Sequence, residues 1–361
     1  MSDRFLVTYQ VRATAETVAA RAQAIAVEQS VEMPLEAFDA PEVLRDIVGE
    51  VADIADLGDG RFAVRIALAT ATVGNDPAQL LNMLFGNTSL HDDVVLADVA
   101  IPPALAACFG GPRHGIAGLR ARAAAEGRAL TCTALKPQGL PPDGLAALAA
   151  RFAAGGVDYI KDDHGLANQA YSPFAARARA CATALRGRKT RYVPSLSGSL
   201  DAMRAQLLLA REEGLDTVLI APLLAGVSTL QALVAAFPDI AFIAHPSFGG
   251  AARIAPDLLI GKLFRLLGAD AVIFPTHGGR FGYTPETCRC LAETARAPLP
   301  DLRPALPVPA GGMTLSRVPE ILDFYGPDTM LLIGGSLLAA REHLTAETAA
   351  FTSRVAAHRY R

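Results

Sequence analysis

Lys161, Asp162, Asp163 and His164 are four consecutive side chains that could do chemistry. They follow Gly155-Gly156-Val157-Asp158-Tyr159-Ile160, which reads as a turn and then a short apolar strand. Alternation along a strand sends Lys161 and Asp163 to one face and Asp162 and His164 to the other, while a splayed strand end can gather three of the four. A lysine, a carboxylate and an imidazole at one point make either an ion-pair cluster or a metal site.

The elements that must position them repeat with a regular rhythm. From about residue 128 onward, apolar runs of strand length alternate with Ala/Leu-rich helical stretches. The runs are Leu130–Leu135, Tyr159–His164, Arg191–Leu196, Thr217–Pro222, Ala241–Pro246, Ala271–Thr276, Val308–Gly312 and Met330–Gly335. Eight such units predict a closed (β/α)8 TIM barrel over residues 126–361. No Gly-rich dinucleotide fingerprint follows an early strand, which disfavours an open doubly wound sheet.

Barrel chemistry belongs at the C-terminal ends of the strands. Lys136 follows the first strand, and Lys161, Asp163 and His164 end the second. Ser195 and Ser197 follow the third, His245 the fifth, and Thr276-His277-Gly278-Gly279-Arg280 the sixth. Gly311-Gly312 and Gly334-Gly335 follow the seventh and eighth, where exposed backbone N–H groups let a phosphate approach. The plainer reading of these glycines is tight turns.

Residues 1–125 have a different texture, with strands expected at Arg4–Arg12, Phe62–Thr72 and Val94–Ile101 and helices at Thr14–Val27 and Pro77–Phe85. Lacking βαβ regularity, they predict a small α+β sandwich ahead of the barrel. Two polar spots, around Glu28 and at Gly86-Asn87, read locally as a helix C-cap and a turn.

Of the 361 residues 51% are hydrophobic and 19% charged, and the net charge is −3, so neither nucleic acid nor an anionic membrane is an expected partner. No run approaches the roughly 20 apolar residues of a membrane span, and Met1-Ser2-Asp3-Arg4 opens no signal peptide. Five cysteines without zinc-ligand spacing read as free thiols of a reducing cytoplasm.

These residues together resemble the large subunit of ribulose-bisphosphate carboxylase, and more closely its RuBisCO-like (form IV) proteins. Gly-Val-Asp-Tyr-Ile-Lys161-Asp162-Asp163-His164 is similar to the family's metal-site motif. The resemblance implies that Lys161 is carbamylated by CO2 and binds Mg²⁺ with two carboxylates. Leu135-Lys136-Pro137-Gln138-Gly139 is similar to the lysine-proline-lysine turn after the first strand. Pro309-Ala310-Gly311-Gly312 and Gly334-Gly335 resemble the phosphate loops, and Gly279-Arg280 falls on the mobile sixth loop. Glu28 and Gly86-Asn87 match residues that the family supplies to a neighbouring subunit's barrel, which implies a homodimer with active sites at the subunit interface.

The departures are equally specific. Gln138 replaces the second lysine of the turn, and Pro246 and Gly249 replace an arginine and a histidine after strand 5. Arg280 stands for the lysine of the sixth loop and Ala310 for a serine, so carboxylation is not expected. His164 replaces the glutamate ligand. Hard Mg²⁺ prefers oxygen, whereas imidazole suits Mn²⁺ and other transition ions. Either His164 binds the ion or water takes its place.

The resemblance implies enolisation of a phosphorylated keto-sugar. Lys136 is the leading base, with the Lys161 carbamate second; as a bland alternative, Lys136 is a structural ion pair. His245 would polarise an oxygen or contact phosphate, alongside His277 and Arg280, and Asn87 would orient a hydroxyl. The substrate expected is 5-methylthioribulose 1-phosphate, isomerised to 1-methylthioxylulose 5-phosphate. Alternatives are decarboxylation of a branched 3-oxo-sugar-acid phosphate (3-oxo-isoapionate 4-phosphate type) and diketo-methylthiopentyl-phosphate enolisation. An inert sugar-phosphate sensor and a Schiff-base aldolase on Lys161 are readings of other classes.

Overall fold

Apolar and polar residues alternate along Arg4–Arg12, and in the structure, a computed structural model describing residues 3–299 and 301–360, this segment is strand β1. Phe5, Val7, Tyr9 and Val11 are buried, as a period of two requires. With β2 (Glu50–Gly58), β3 (Arg61–Ala69) and β4 (Val94–Val99) it forms an antiparallel sheet in the order β2-β3-β1-β4. The helix Val18–Glu28 buries Val18, Ala22, Ile25 and Ala26, a single stripe, and packs against β2 and β3. Its start lies later than the pattern predicts, because Thr14–Thr17 form a turn in which the Thr17 hydroxyl accepts from the Thr14 N–H. The helix Pro77–Phe85 opens with Asp76 accepting from the Ala78 N–H at 2.8 Å and with proline in its first turn.

The chain divides into two compact units, one running through Phe109 and including Phe248–Leu259, the other made of Gly110–Ser247 and the chain from Ile260 onward. The second is the barrel. Its strands are β5 (Leu130–Leu135), β6 (Tyr159–Asp162), β7 (Arg191–Val193), β8 (Thr217–Ile220), β9 (Ala241–Ala244), β10 (Ala271–Pro275), β11 (Leu306–Ala310) and β12 (Met330–Leu332). Parallel ladders run β12-β5-β6-β7 and β8-β9-β10-β11. A parallel bridge between Ser195 and Leu219 joins β7 to β8, and the Thr329 hydroxyl donates to the Pro307 carbonyl beside β12, closing the circle.

Side chains two apart along the strands fill the interior: Leu130 and Cys132, Ala241 and Ile243, Ala271 and Ile273, Leu306 and Val308, Met330 and Leu332. Strand tips end earlier than the sequence pattern predicts, β6 at Asp162 and β9 at Ala244, because the rim residues leave the ladder for loops. The segment before β10 is a helix, π-wound over Asp257–Leu263 and α-helical over Phe264–Leu266. At the opposite end of the barrel Asp270 is buried and accepts from the N–H groups of His114, Gly115 and Phe242, a fastening at the stabilising face of the fold. Among the described residues no helix is long and apolar enough to cross a membrane.

Candidate active site

Tyr159 joins the barrel interior, so period two carries Lys161 and Asp163 inward at the rim and Asp162 outward. Asp162 is fully buried against the surrounding helices, where it accepts from Arg177 Nε at 3.0 Å, the Tyr192 hydroxyl at 2.7 Å and the Ser195 N–H at 3.0 Å. Burial works against a charge on Asp162, while Arg177 and the other two donors work for it; three donors fit the ionised carboxylate. Arg177 comes from the helix Phe174–Ala184, on whose buried stripe it stands with Phe174, Ala178 and Cys181. It also donates to the carbonyls of Ser172 and Ala167, so every group around it is met.

This pair fixes the backbone that aims Lys161 and Asp163. Arg177→Met is expected to lower unfolding free energy by about 3–5 kcal/mol, because it strands a buried carboxylate. Urea denaturation reads that change, and a loss below about 1 kcal/mol, the size of an exposed pair, would contradict it.

Lys161 is buried, and its Nζ donates to the Asp162 carbonyl at 2.9 Å. Burial holds its amine below the ordinary lysine value. Asp163 takes Lys136 Nζ on Oδ2 at 2.5 Å, and its Oδ1 lies 2.8 Å from His164 Nδ1. Burial pushes the Asp163 carboxyl up, but the adjacent His164 ring, the Lys136 hydrogen bond and the charges of Lys136 and Lys161 outweigh it and hold the group well below the usual carboxylate range. The His164 ring stacks on His245 with centroids 4.4 Å apart and planes 7° from parallel. His245 Nδ1 meets the Ser247 hydroxyl at 2.7 Å, and burial, aided by the nearby Lys161 and His164, keeps this imidazole neutral.

Five of the residues singled out from sequence thus converge: Lys136, Lys161, Asp163, His164 and His245. Glu28 and Asn87 meet each other in the other unit, where Asn87 Nδ2 donates to Glu28 Oε1 and to Glu32 Oε1, both at 2.9 Å. His277 does not join the cluster. Its ring packs on Phe324 at 4.5 Å, and its Nε2 lies 3.6 Å from Glu320. Arg280 is exposed and stacks over Phe281 at 4.9 Å.

The rim glycines serve two different needs. A Cβ on Gly279 would lie 2.2 Å from the Gly311 carbonyl oxygen, and one on Gly312 would lie 2.6 Å from Gly279 Cα. Those loops therefore touch backbone to backbone, and packing alone demands glycine there. Nothing lies within 4 Å of where a Cβ on Gly335 would sit, so that glycine leaves space open at the mouth. Arg317, five residues beyond Gly312, is a cation that sequence reading passed over. Its Nη1 is buried without a partner while Nε donates to Glu320 at 2.9 Å.

No cluster of three His, Cys, Asp or Glu side chains forms a ready-made metal site among the described residues. Asp163 Oδ1, however, has no aligned hydrogen-bond donor although His164 Nδ1 is 2.8 Å away. Two lone pairs at that spacing match neighbouring ligands of an octahedral ion, about 3 Å apart for bonds of 2.0–2.1 Å. A third ligand would have to come from Lys161. The residues fit a cation on that condition.

Residues 115–359 match the family described as ribulose bisphosphate carboxylase large chain, catalytic domain. Over 99% of its length the chain is 59% identical to the 5-methylthioribulose-1-phosphate isomerase of Rhodospirillum rubrum, covering 97% of that protein. It is 57% identical to ribulose bisphosphate carboxylase-like protein 1 of Rhodopseudomonas palustris, over 99% of each chain. A crystal structure of a Rubisco-like protein from Rhodopseudomonas palustris superposes with a TM-score of 0.94 at 50% identity, covering 100% of both chains.

Proposed function

The chain belongs to the ribulose bisphosphate carboxylase large-chain family, as a RuBisCO-like protein, and from that premise we propose that it isomerises 5-methylthioribulose 1-phosphate to 1-methylthioxylulose 5-phosphate. The observation that carries this reading is the buried Lys161 amine beside Asp163, His164 and His245 on the barrel rim. The isomerase named for Rhodospirillum rubrum, alike over 99% of this chain, supports it.

Lys161 as its carbamate, with Asp163 and His164, would hold a divalent ion, Mg²⁺ or, given the imidazole, Mn²⁺, whose charge lowers the cost of enolate formation. Carbamate formation needs the free amine, the form that burial favours at Lys161. The isomerisation moves a ketone along a carbon chain without oxidant or reductant. A base takes the proton from C3 and a proton returns to C2; the same exchange between C4 and C3 follows. Lys136, at the mouth beside Asp163, is the base we assign. His245, neutral and half-buried, is placed to donate to a substrate oxygen or accept from one. The open backbone at Gly334 and Gly335, with Gly311, Gly312 and the exposed Arg280, is assigned to the phosphate. His277 would act only by holding its loop.

The protein would work in the cytoplasm as a homodimer, Glu28 and Asn87 serving the partner's barrel. A chain that sediments as a monomer while turning over would remove that role. The proposed reaction is read by ³¹P and ¹H NMR of 5-methylthioribulose 1-phosphate in D2O with divalent salt and bicarbonate. Deuterium at C3 and a new ketone are expected. Ligand-induced thermal stabilisation with no exchange of substrate C–H protons would instead mark an inert sensor.

A further inference from the structure

Beside the stacked imidazoles of His164 and His245 opens a cleft of about 110 Å³ whose walls are Leu196, Met203, Leu219, Ala221, Leu224 and Ala225. At roughly 10–15 Å³ for one water on that scale, it takes a short aliphatic segment. Its remaining polar groups are the hydroxyls of Ser195 and Ser197, so no lysine, arginine or carboxylate faces it. Leu224 is 64% exposed on the rim turn Pro222–Ala225, an apolar side chain held toward solvent where the cleft opens.

The barrel's strand order places this cleft. It lies at the tips of β7, β8 and β9, while the glycine-bearing loops follow β11 and β12. In a closed ring of eight strands those positions face each other across the mouth. A substrate that puts its phosphate at the glycines and its carbonyl over the Lys161–Asp163–His164 cluster therefore directs its far end into the cleft.

We infer that this cleft is the subsite for an uncharged alkylthio end of the substrate, and that it sets the chain's preference for a monophosphate over a bisphosphate. This deepens the proposed function and rests on it for the placement of the other end. A second phosphate here would face six apolar side chains and no lysine or arginine, leaving its charge poorly matched. A thioether methyl removes apolar surface from water and leaves no polar atom unsatisfied.

The test uses two inert alcohols, 5-methylthioribitol 1-phosphate and 5-deoxyribitol 1-phosphate, which lack a carbonyl and cannot be enolised. Titration calorimetry of the metal- and bicarbonate-loaded protein is expected to show roughly tenfold or greater preference for the methylthio compound, the scale of one or two buried groups in an apolar pocket. Leu224→Asp, at an exposed position the fold tolerates, brings a charge to the wall, and Ala221→Phe fills the space. Both are expected to bring the preference close to unity. A parent protein with no preference, or a preference that survives both variants, overturns the assignment. Because neither compound reacts, the outcome is independent of turnover. Preference without proton exchange keeps the cleft and removes the isomerase reading, and exchange without preference does the reverse.

Discussion

Lys161→Ala is expected to lower turnover of 5-methylthioribulose 1-phosphate by roughly 10³-fold or more and to abolish any dependence on bicarbonate. The size follows from what the residue supplies. Lewis-acid stabilisation of a developing oxyanion is worth several kcal/mol, and each 1.36 kcal/mol is tenfold in rate. In the proposed site Asp163 and His164 are the other two donors, so removing the third leaves two. The fold should survive, because among the described residues the Lys161 amine donates to the Asp162 carbonyl alone and its charged form is disfavoured by burial. The two effects separate in experiment. A melting temperature near the parent's with turnover lost places the effect on chemistry. Full activity in Lys161→Ala, with or without bicarbonate, would remove the carbamate from the mechanism and with it the case for a cation held at this point. Lys161→Arg is a useful companion, since it fills the space and keeps a cation but offers no amine for CO2.

The legible parts of the molecule are those where one physical demand governs each position. Strands such as β9 and β12 are buried on both faces, so their residues are apolar without interruption and stand out from the helices between them. The rim followed from them, because the first polar residue after each run marks where the ladder ends. Opposite faces for Asp162 and Asp163 came from period two alone, and the structure sends one to Arg177 and the other to the mouth. Strand β2 carried no such signal. It is an edge strand, mostly exposed, with Glu50, Asp53 and Asp56 along it, and its pattern reads as a loop.

Arg177 was available and missed. An arginine on the same helical stripe as Phe174, Ala178 and Cys181 needs a buried anion, and Asp162, the carboxylate that strand alternation turns away from Lys161, is placed to supply it. The contact of Asn87 with Glu28 and Glu32 spans more than fifty residues, and no local pattern announces it. His277 follows β10 on the rim, and its packing on Phe324 of the helix Val318–Tyr325, with ring centroids 4.5 Å apart, is a contact that no local pattern announces.

Lys136→Met is the second large effect, and it separates a base from a strut. The observed contact, Lys136 Nζ to Asp163 Oδ2 at 2.5 Å, suits either role. If the pair is only structural, its loss touches an ammonium that is 36% exposed, and pairs near the surface contribute about 0–1 kcal/mol. Turnover would then stay within a few-fold of the parent. If Lys136 carries the proton between C3 and C2, the rate is expected to fall by about 10²–10⁴-fold, the contribution of a positioned general base. The two roles also differ at Asp163. Lys136 holds Asp163 Oδ2 while a cation would engage Oδ1 of the same carboxylate, so the ammonium and the ion repel across it, and Lys136→Met should bind Mn²⁺ at least as tightly as the parent by water-proton relaxation. Retained ion binding with lost deuterium exchange at C3 is therefore the signature of a base. Lys136→Arg sharpens the distinction, because arginine restores the ion pair but does not give up its proton at neutral pH. Rescue by arginine would make Lys136 a strut, and failure of that rescue leaves proton transfer as the function the residue supplies.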